Sequence, residues 1–87
     1  MFRMVVEDVF VIKRRGVVVT GRVESGQLRV GDEVRVNGGL ALTVDGIEAF
    51  RKNLDEANPG DNIGVLFKGA EREQLRRGDV LAAPSVS

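Results

Sequence analysis

The sequence predicts an all-β fold, a small closed antiparallel β-barrel of about six strands, and three observations carry that prediction. Its apolar residues fall in short runs, and some alternate strictly with polar residues, as Glu33-Val34-Arg35-Val36-Asn37 does. Period two is the signature of a strand with one face buried. Turn-forming residues, chiefly glycine and aspartate, punctuate the runs at intervals of about 8 to 12 residues, the spacing of barrels and sandwiches. The chain has 87 residues, enough for one core, and so small a sheet removes its exposed edges best by closing on itself. One domain over residues 1–87 is therefore expected.

The first apolar run, Met4 to Ile12, ends at the basic turn Lys13 to Gly16, and Val17 to Glu24 resumes as a second strand, so the two form a hairpin. Ser25 and Gly26 break the second run, Gly31 and Asp32 make the next turn, and Glu33 to Asn37 is a third strand. Gly38 and Gly39 reverse the chain into a fourth, from Leu40 to Phe50. Arg51 to Asp61 reads as a polar loop closed by Pro59 and Gly60, with Asn62 to Lys68 as the fifth strand. Glu71 to Arg77 suits a single helical turn, and Asp79 to Ala82 a short last strand. A Gly-Asp pair stands immediately before a strand at Gly31-Asp32, Gly60-Asp61 and Gly78-Asp79. Glycine takes positive φ without steric cost, and aspartate bonds backbone two residues on. Turn chemistry thus explains these carboxylates without a catalytic role.

Composition narrows the function. Cysteine and histidine are absent, which excludes disulfides and thiolate metal sites and removes the commonest general base and metal ligand. The adjacent acids Glu7 and Asp8 point to opposite faces of a strand and cannot cooperate as acid and base, so no enzyme is expected. No segment approaches the roughly 18 apolar residues of a membrane span, and the amino terminus lacks the apolar run of a signal peptide; a soluble, cytoplasmic chain without a membrane partner is expected. Thirteen basic and thirteen acidic side chains cancel, leaving local clusters at Lys13-Arg14-Arg15, Arg51-Lys52 and Arg72, Arg76 and Arg77, each at or near a turn.

Strand parity sorts inside from outside. In the second strand Val17, Val19 and Val23 share the inner face, which puts Val18 outside with Thr20, Arg22 and Glu24. In the fifth, Ile63, Val65 and Phe67 point inward, leaving Asn62, Leu66 and Lys68 outside. The first strand carries one acid in each parity; placing Asp8 outside takes Phe10 and Ile12 with it and makes Val9 and Val11 core. Four apolar side chains, Phe10, Ile12, Val18 and Leu66, are then stranded among a carboxylate, a hydroxyl, an amide and guanidinium groups. Scattered surface apolar residues are ordinary. Several on adjacent strands form a floor on which a nucleobase can stack while the polar rim bonds its ribose.

Longer words then become recognisable. Glu7-Asp8-Val9-Phe10, Arg15-Gly16-Val17-Val18-Val19-Thr20-Gly21-Arg22-Val23-Glu24-Ser25-Gly26 and Val30-Gly31-Asp32-Glu33-Val34 closely resemble domain II of elongation factor Tu, a barrel of the translational GTPases. Gly46-Ile47-Glu48-Ala49-Phe50-Arg51-Lys52, Leu54-Asp55-Glu56-Ala57, Gly60-Asp61-Asn62-Ile63-Gly64-Val65-Leu66 and Arg77-Gly78-Asp79-Val80-Leu81-Ala82 follow in family order. The resemblance implies a non-catalytic translation-factor domain with a site for the aminoacylated 3′ end of transfer RNA. In it the match to Glu48 meets the terminal ribose and base, and those to Ile12, Val18 and Leu66 line the adenine pocket. The matches to Glu7, Asp8, Phe10, Thr20, Phe50 and Asn62 surround the ester and amino acid, with Arg51 beside them. Aminoacyl-tRNA is the expected partner, bound weakly by this domain alone, with a GTPase domain or the ribosome as further partners. No cofactor is expected. GTP and magnesium belong to the family's GTPase domain, whose G-x-x-x-x-G-K-[ST] loop does not occur here. Arg14 stands where the family usually has glycine, set either to crowd the adenine or to bind the terminal phosphate. The alternative is a barrel that docks to a GTPase domain, a protein partner or ribosomal RNA and merely inherits the pocket.

Overall fold

The computed structural model describes residues 1–84; the last three residues of the expected domain lie outside the described residues. Eleven strands appear in chain order: β1 Arg3–Val5, β2 Asp8–Ile12, β3 Gly16–Ser25, β4 Leu28–Arg29, β5 Glu33–Val36, β6 Leu40–Thr43, β7 Gly46–Ala49, β8 Lys52–Leu54, β9 Glu56–Ala57, β10 Asn62–Phe67 and β11 Val80–Ala82. A 3-10 turn, Arg72–Gln74, occupies part of the expected helical segment. The main sheet runs β6-β5-β11-β1-β3-β10-β7-β8, with β2 paired to β3 beside β1, and β4 with β9 forms a separate ribbon. The main sheet is strongly curled around one core. Between its two end strands, backbone bonds from Val30 N–H to Asp55 O (3.1 Å) and from Gly31 N–H to Val44 O (2.8 Å) tie the ribbon segment in. The all-β, barrel-like architecture is thus built from more and shorter strands than the sequence suggests.

Each subdivision has a hydrogen-bonding cause. The first apolar run breaks at Val6 and Glu7, whose N–H groups donate to different walls, Val6 to Asp79 O and Glu7 to Thr20 O, both at 2.8 Å. β1 therefore inserts between β3 and β11, while β2 pairs with β3 alone. The break also shifts the parity: Phe2, Met4 and Val6 are buried, after which the inward position is Val9, half-buried against the core. This explains why neither parity of the run reads cleanly in the sequence. Val11, expected in the core, is instead 60% exposed. It lies opposite Val17 near the tip of a strand with no second strand neighbour, and its surroundings are an open concavity formed with Ala70 and Glu71.

The run from Leu40 to Phe50 likewise divides at Val44 and Asp45. Val44 N–H donates to Asp32 O and Asp45 N–H to Leu66 O, both at 2.9 Å, so β6 continues the β5 hairpin and β7 joins β10. The expected polar loop after it contains β8, hairpinned to β7, and β9, paired to β4. Ala57 and Leu28 from that ribbon and Leu75 beyond the 3-10 turn are buried with the inward residues of β3, β5, β10 and β11.

The three Gly-Asp pairs make one device. Arg29, Asn58 and Arg76 each donate their N–H to the carboxylate three residues on, in Asp32, Asp61 and Asp79, at 2.8, 2.9 and 2.9 Å. Each aspartate N–H returns a bond to the carbonyl of that same first residue. The intervening glycines have φ of 98°, 92° and 88°, the left-handed value that a type II turn needs at its third position. The aspartates are turn residues as expected, but they bond backwards by three residues rather than forwards by two.

Candidate functional site

The outer face of β2, β3, β10 and β7 is organised as rows of side chains set by strand register. One row reads Asp8, Thr20, Gly64 and Glu48, and continues to Asn53 on β8. The next reads Phe10, Val18, Leu66 and Gly46. Residues directly opposite on neighbouring strands have Cβ atoms about 5 Å apart, so a polar row lies beside an apolar one. Glycine at two points of this grid leaves gaps. A Cβ at Gly64 would stand 3.3 Å from Val18 Cγ1 and 3.4 Å from Glu48 Cγ, and one at Gly46 would stand 3.5 Å from Leu66 Cβ. The missing side chains turn a flat sheet face into a concave one.

Two cavities result. The first, of about 530 Å³, is lined by Phe10, Ile12, Val18, Thr20, Glu48 and Leu66, together with Val30, Asn53, Leu54, Asp55 and others. The second, of about 430 Å³, is lined by Glu7, Thr20, Glu48, Phe50, Arg51 and Asn62 among others. Thr20, Glu48 and Gly64 belong to both. Both volumes fall in the range of small-molecule sites, about 300–1,000 Å³. The structure therefore brings the residues expected at a base pocket to one cavity and most of those expected around an ester and amino acid to its neighbour. Glu48 stands on the shared rim, exposed and outside the ion pairs present among the described residues.

Asp8 is placed elsewhere. Its Oδ1 accepts from Arg77 Nη2 at 2.6 Å and from Arg77 Nε at 3.0 Å, and it lines neither cavity. Arg14, expected either to crowd the base or to hold a phosphate, also lies outside both cavities. It lines a third, open concavity. Phe10 and Ile12 are half-exposed, whereas Val18 and Leu66 are partly buried at the floor.

Phe50 and Arg51 form the two-residue connection of the β7–β8 hairpin, between the paired residues Ala49 and Lys52. Both have positive φ, 52° and 64°. Such hairpin turns favour Asn-Gly because two left-handed residues are needed in succession, and a bulky side chain there is strained. Phe50 is moreover 92% exposed, so it gains no burial to offset that strain. Locally unfavourable residues of this kind concentrate at sites of recognition.

Parity alone missed several cavity residues. Gly64 carries a legible signal, since glycine inside a strand marks close approach of another group. Lys68 is not among them, since parity sets it outside with Asn62 and Leu66. Val30, Asn53, Leu54 and Asp55 carry none, because the hairpin and ribbon that deliver them read as loop.

The model of the family described as Elongation factor Tu domain 2 matches residues 16–82. That span runs from the start of β3 to the end of β11 and includes Val18, Thr20, Glu48, Phe50, Arg51, Asn62 and Leu66.

Proposed function

We propose that this chain, which belongs to the Elongation factor Tu domain 2 family and is thus a translation-factor barrel domain, is a non-catalytic binding module for the aminoacylated 3′ end of transfer RNA. The observation that supports this most is the pair of cavities joined through Thr20, Glu48 and Gly64. A base stacks on Phe10, Val18 and Leu66 in the first; the ester and amino acid enter the second, beside Phe50, Arg51 and Asn62. The ribose lies on the shared rim, where the Glu48 carboxylate accepts a bond from a ribose hydroxyl and so favours RNA over DNA. A cytoplasmic location belongs to the same proposal. The test is fluorescence-anisotropy titration of an aminoacylated acceptor-stem RNA. Glu48→Ala is expected to weaken binding at least about tenfold, in line with losing a hydrogen bond to a charged acceptor; equal affinity for the two proteins would contradict the reading.

A second reading, docking to a GTPase domain, a protein partner or ribosomal RNA, draws on the exposure of Val11 and Phe50. It separates cleanly from the first. Under it Glu48→Ala leaves partner binding intact, while charge reversal at Arg51 or Arg76 abolishes it.

A further inference from the structure

Beyond the two cavities lies a third concavity of about 780 Å³, between the tip of the β2–β3 hairpin and the segment that follows β10. Its charge is one-sided: Lys13, Arg14, Arg15, Lys68 and Arg72 line it, against the two carboxylates of Glu71 and Glu73. Ion pairs among the described residues join Arg3 to Glu24, Arg35 to Glu33 and Arg77 to Asp8, so none of the five cations is neutralised by one. Ile12, Arg15 and Lys68 line both this concavity and the base-sized cavity, whereas it shares no residue with the cavity holding Phe50 and Asn62. The three hollows thus stand in series along β3, with Thr20 at one junction, Val18 in the middle and Gly16 at the far end.

Local structure holds this arrangement in place. Gly16 has a φ of 130°, and a Cβ there would stand 2.5 Å from Phe67 O and 2.8 Å from Lys68 Cα. Only glycine lets the hairpin tip close onto the end of β10, which places Arg15 near Lys68. The Lys68 N–H donates to Asp45 Oδ2 at 2.7 Å, which anchors the backbone its side chain starts from, whereas the Arg72 guanidinium is itself held, its Nη1 donating to Leu75 O at 3.1 Å. Arg14 occupies the third position of a turn closed by Arg15 N–H to Ile12 O at 2.9 Å, with a φ of 67°. Glycine would fit that position without strain, yet the chain carries a guanidinium there.

We infer that this concavity is a phosphate subsite continuous with the base cavity, so that the two together take a nucleoside bearing a phosphate group. Apolar floor, ribose-bonding rim and cationic pocket then match the three parts of a nucleotide. Arg15 and Lys68, on the shared wall, reach the phosphate first, and Lys13, Arg14 and Arg72 supply the surrounding positive field. The inference rests on the base cavity assigned above. The same chemistry is offered by a free mononucleotide and by the last internucleotide linkage of an RNA strand.

Chemical-shift titrations of the whole chain with adenosine, adenosine 5′-monophosphate and the trinucleotide CCA test it. Adenosine is expected to perturb Val18 and Leu66. A phosphate-bearing ligand is expected to bind about tenfold more tightly, to add perturbations at Lys13–Gly16 and Lys68, and to lose that advantage at high salt. Gain with the mononucleotide assigns the site to free nucleotides as well, whereas gain with CCA alone assigns it to an RNA chain. In Arg15→Gln combined with Lys68→Gln the ratio of phosphorylated to unphosphorylated affinity is expected to fall to within about twofold of one. Adenosine binding with no gain from a phosphate in either ligand overturns this inference and leaves the base cavity standing, as does a gain that survives the double variant. If all three ligands perturb neither region, the base cavity fails and the inference with it.

Discussion

Gly64 shows how one absent side chain shapes a site. It stands in the polar row between Thr20 and Glu48, and the hollow that joins the two cavities exists because nothing projects from it. Gly64→Ala puts a methyl group against Val18 Cγ1 and Glu48 Cγ at 3.3 and 3.4 Å. Both neighbours are side-chain atoms able to shift, so stability is expected to change by no more than about 1 kcal/mol. Binding of an aminoacylated RNA end is expected to weaken at least about tenfold, because the methyl group occupies the place proposed for the ribose. Thermal unfolding and anisotropy titration of the same preparation separate the two effects. At this scale the sequence was largely readable. Parity placed Phe10, Ile12, Val18, Thr20, Asn62 and Leu66 on one outer face, whereas Glu48 and Phe50 came from resemblance alone. Parity misplaced Val11 because it carries no information on whether a strand has a neighbour to pack against. It also gave no warning that Arg77, 69 residues away along the chain, takes the carboxylate of Asp8.

The β7–β8 hairpin carries backbone strain at two successive positions. Two successive left-handed residues each cost about 1 kcal/mol or more when they are not glycine or asparagine, and Phe50 and Arg51 occupy both positions. Replacing them together, Phe50→Asn with Arg51→Gly, is expected to stabilise the fold by about 1–2 kcal/mol, raising Tm by roughly 5–10 °C for a domain of this size. The same pair is expected to lose discrimination between aminoacylated and uncharged RNA, since the second cavity loses one wall. A variant that is no more stable than the parent would show that the hairpin is relaxed by contacts other than its own turn. The Gly-Asp turns are expected to behave in the opposite way. Asp61→Ala removes the acceptor of Asn58 N–H and is expected to cost about 1 kcal/mol in urea unfolding without altering binding. Turns of this kind are written locally, which is why all three were legible. The breaks at Val6-Glu7 and Val44-Asp45 were not, since each arises where successive N–H groups find partners on different walls, and that is decided by residues far along the chain.

For the whole molecule, charge and topology divide the work. Equal numbers of acidic and basic side chains leave no net field to steer a polyanion, so the proposed recognition rests on the outer face of four strands and on the cations gathered at one end of it. The curled sheet holds that face by burying the inward residues of the same strands, among them Val17, Val19, Ile63, Val65 and Phe67. Core and site are thus the two parities of shared strands, and an inward substitution on β3 or β10 is felt at both. The barrel class was legible from turn spacing and short alternating runs. The ribbon of β4 and β9 was not, because two-residue strands are too short to show any periodicity. By the function proposed above, the outer face of β2, β3, β10 and β7 receives the aminoacylated end of transfer RNA. Residue-resolved chemical-shift mapping with one acceptor-stem RNA, charged and uncharged, tests it most directly. Val18, Thr20, Glu48, Gly64 and Leu66 are expected to respond to both forms, and Phe50, Arg51 and Asn62 to respond only to the charged one. Saturating RNA that leaves these residues unmoved, or shifts only β5 and β6 on the opposite arm of the sheet, would contradict it.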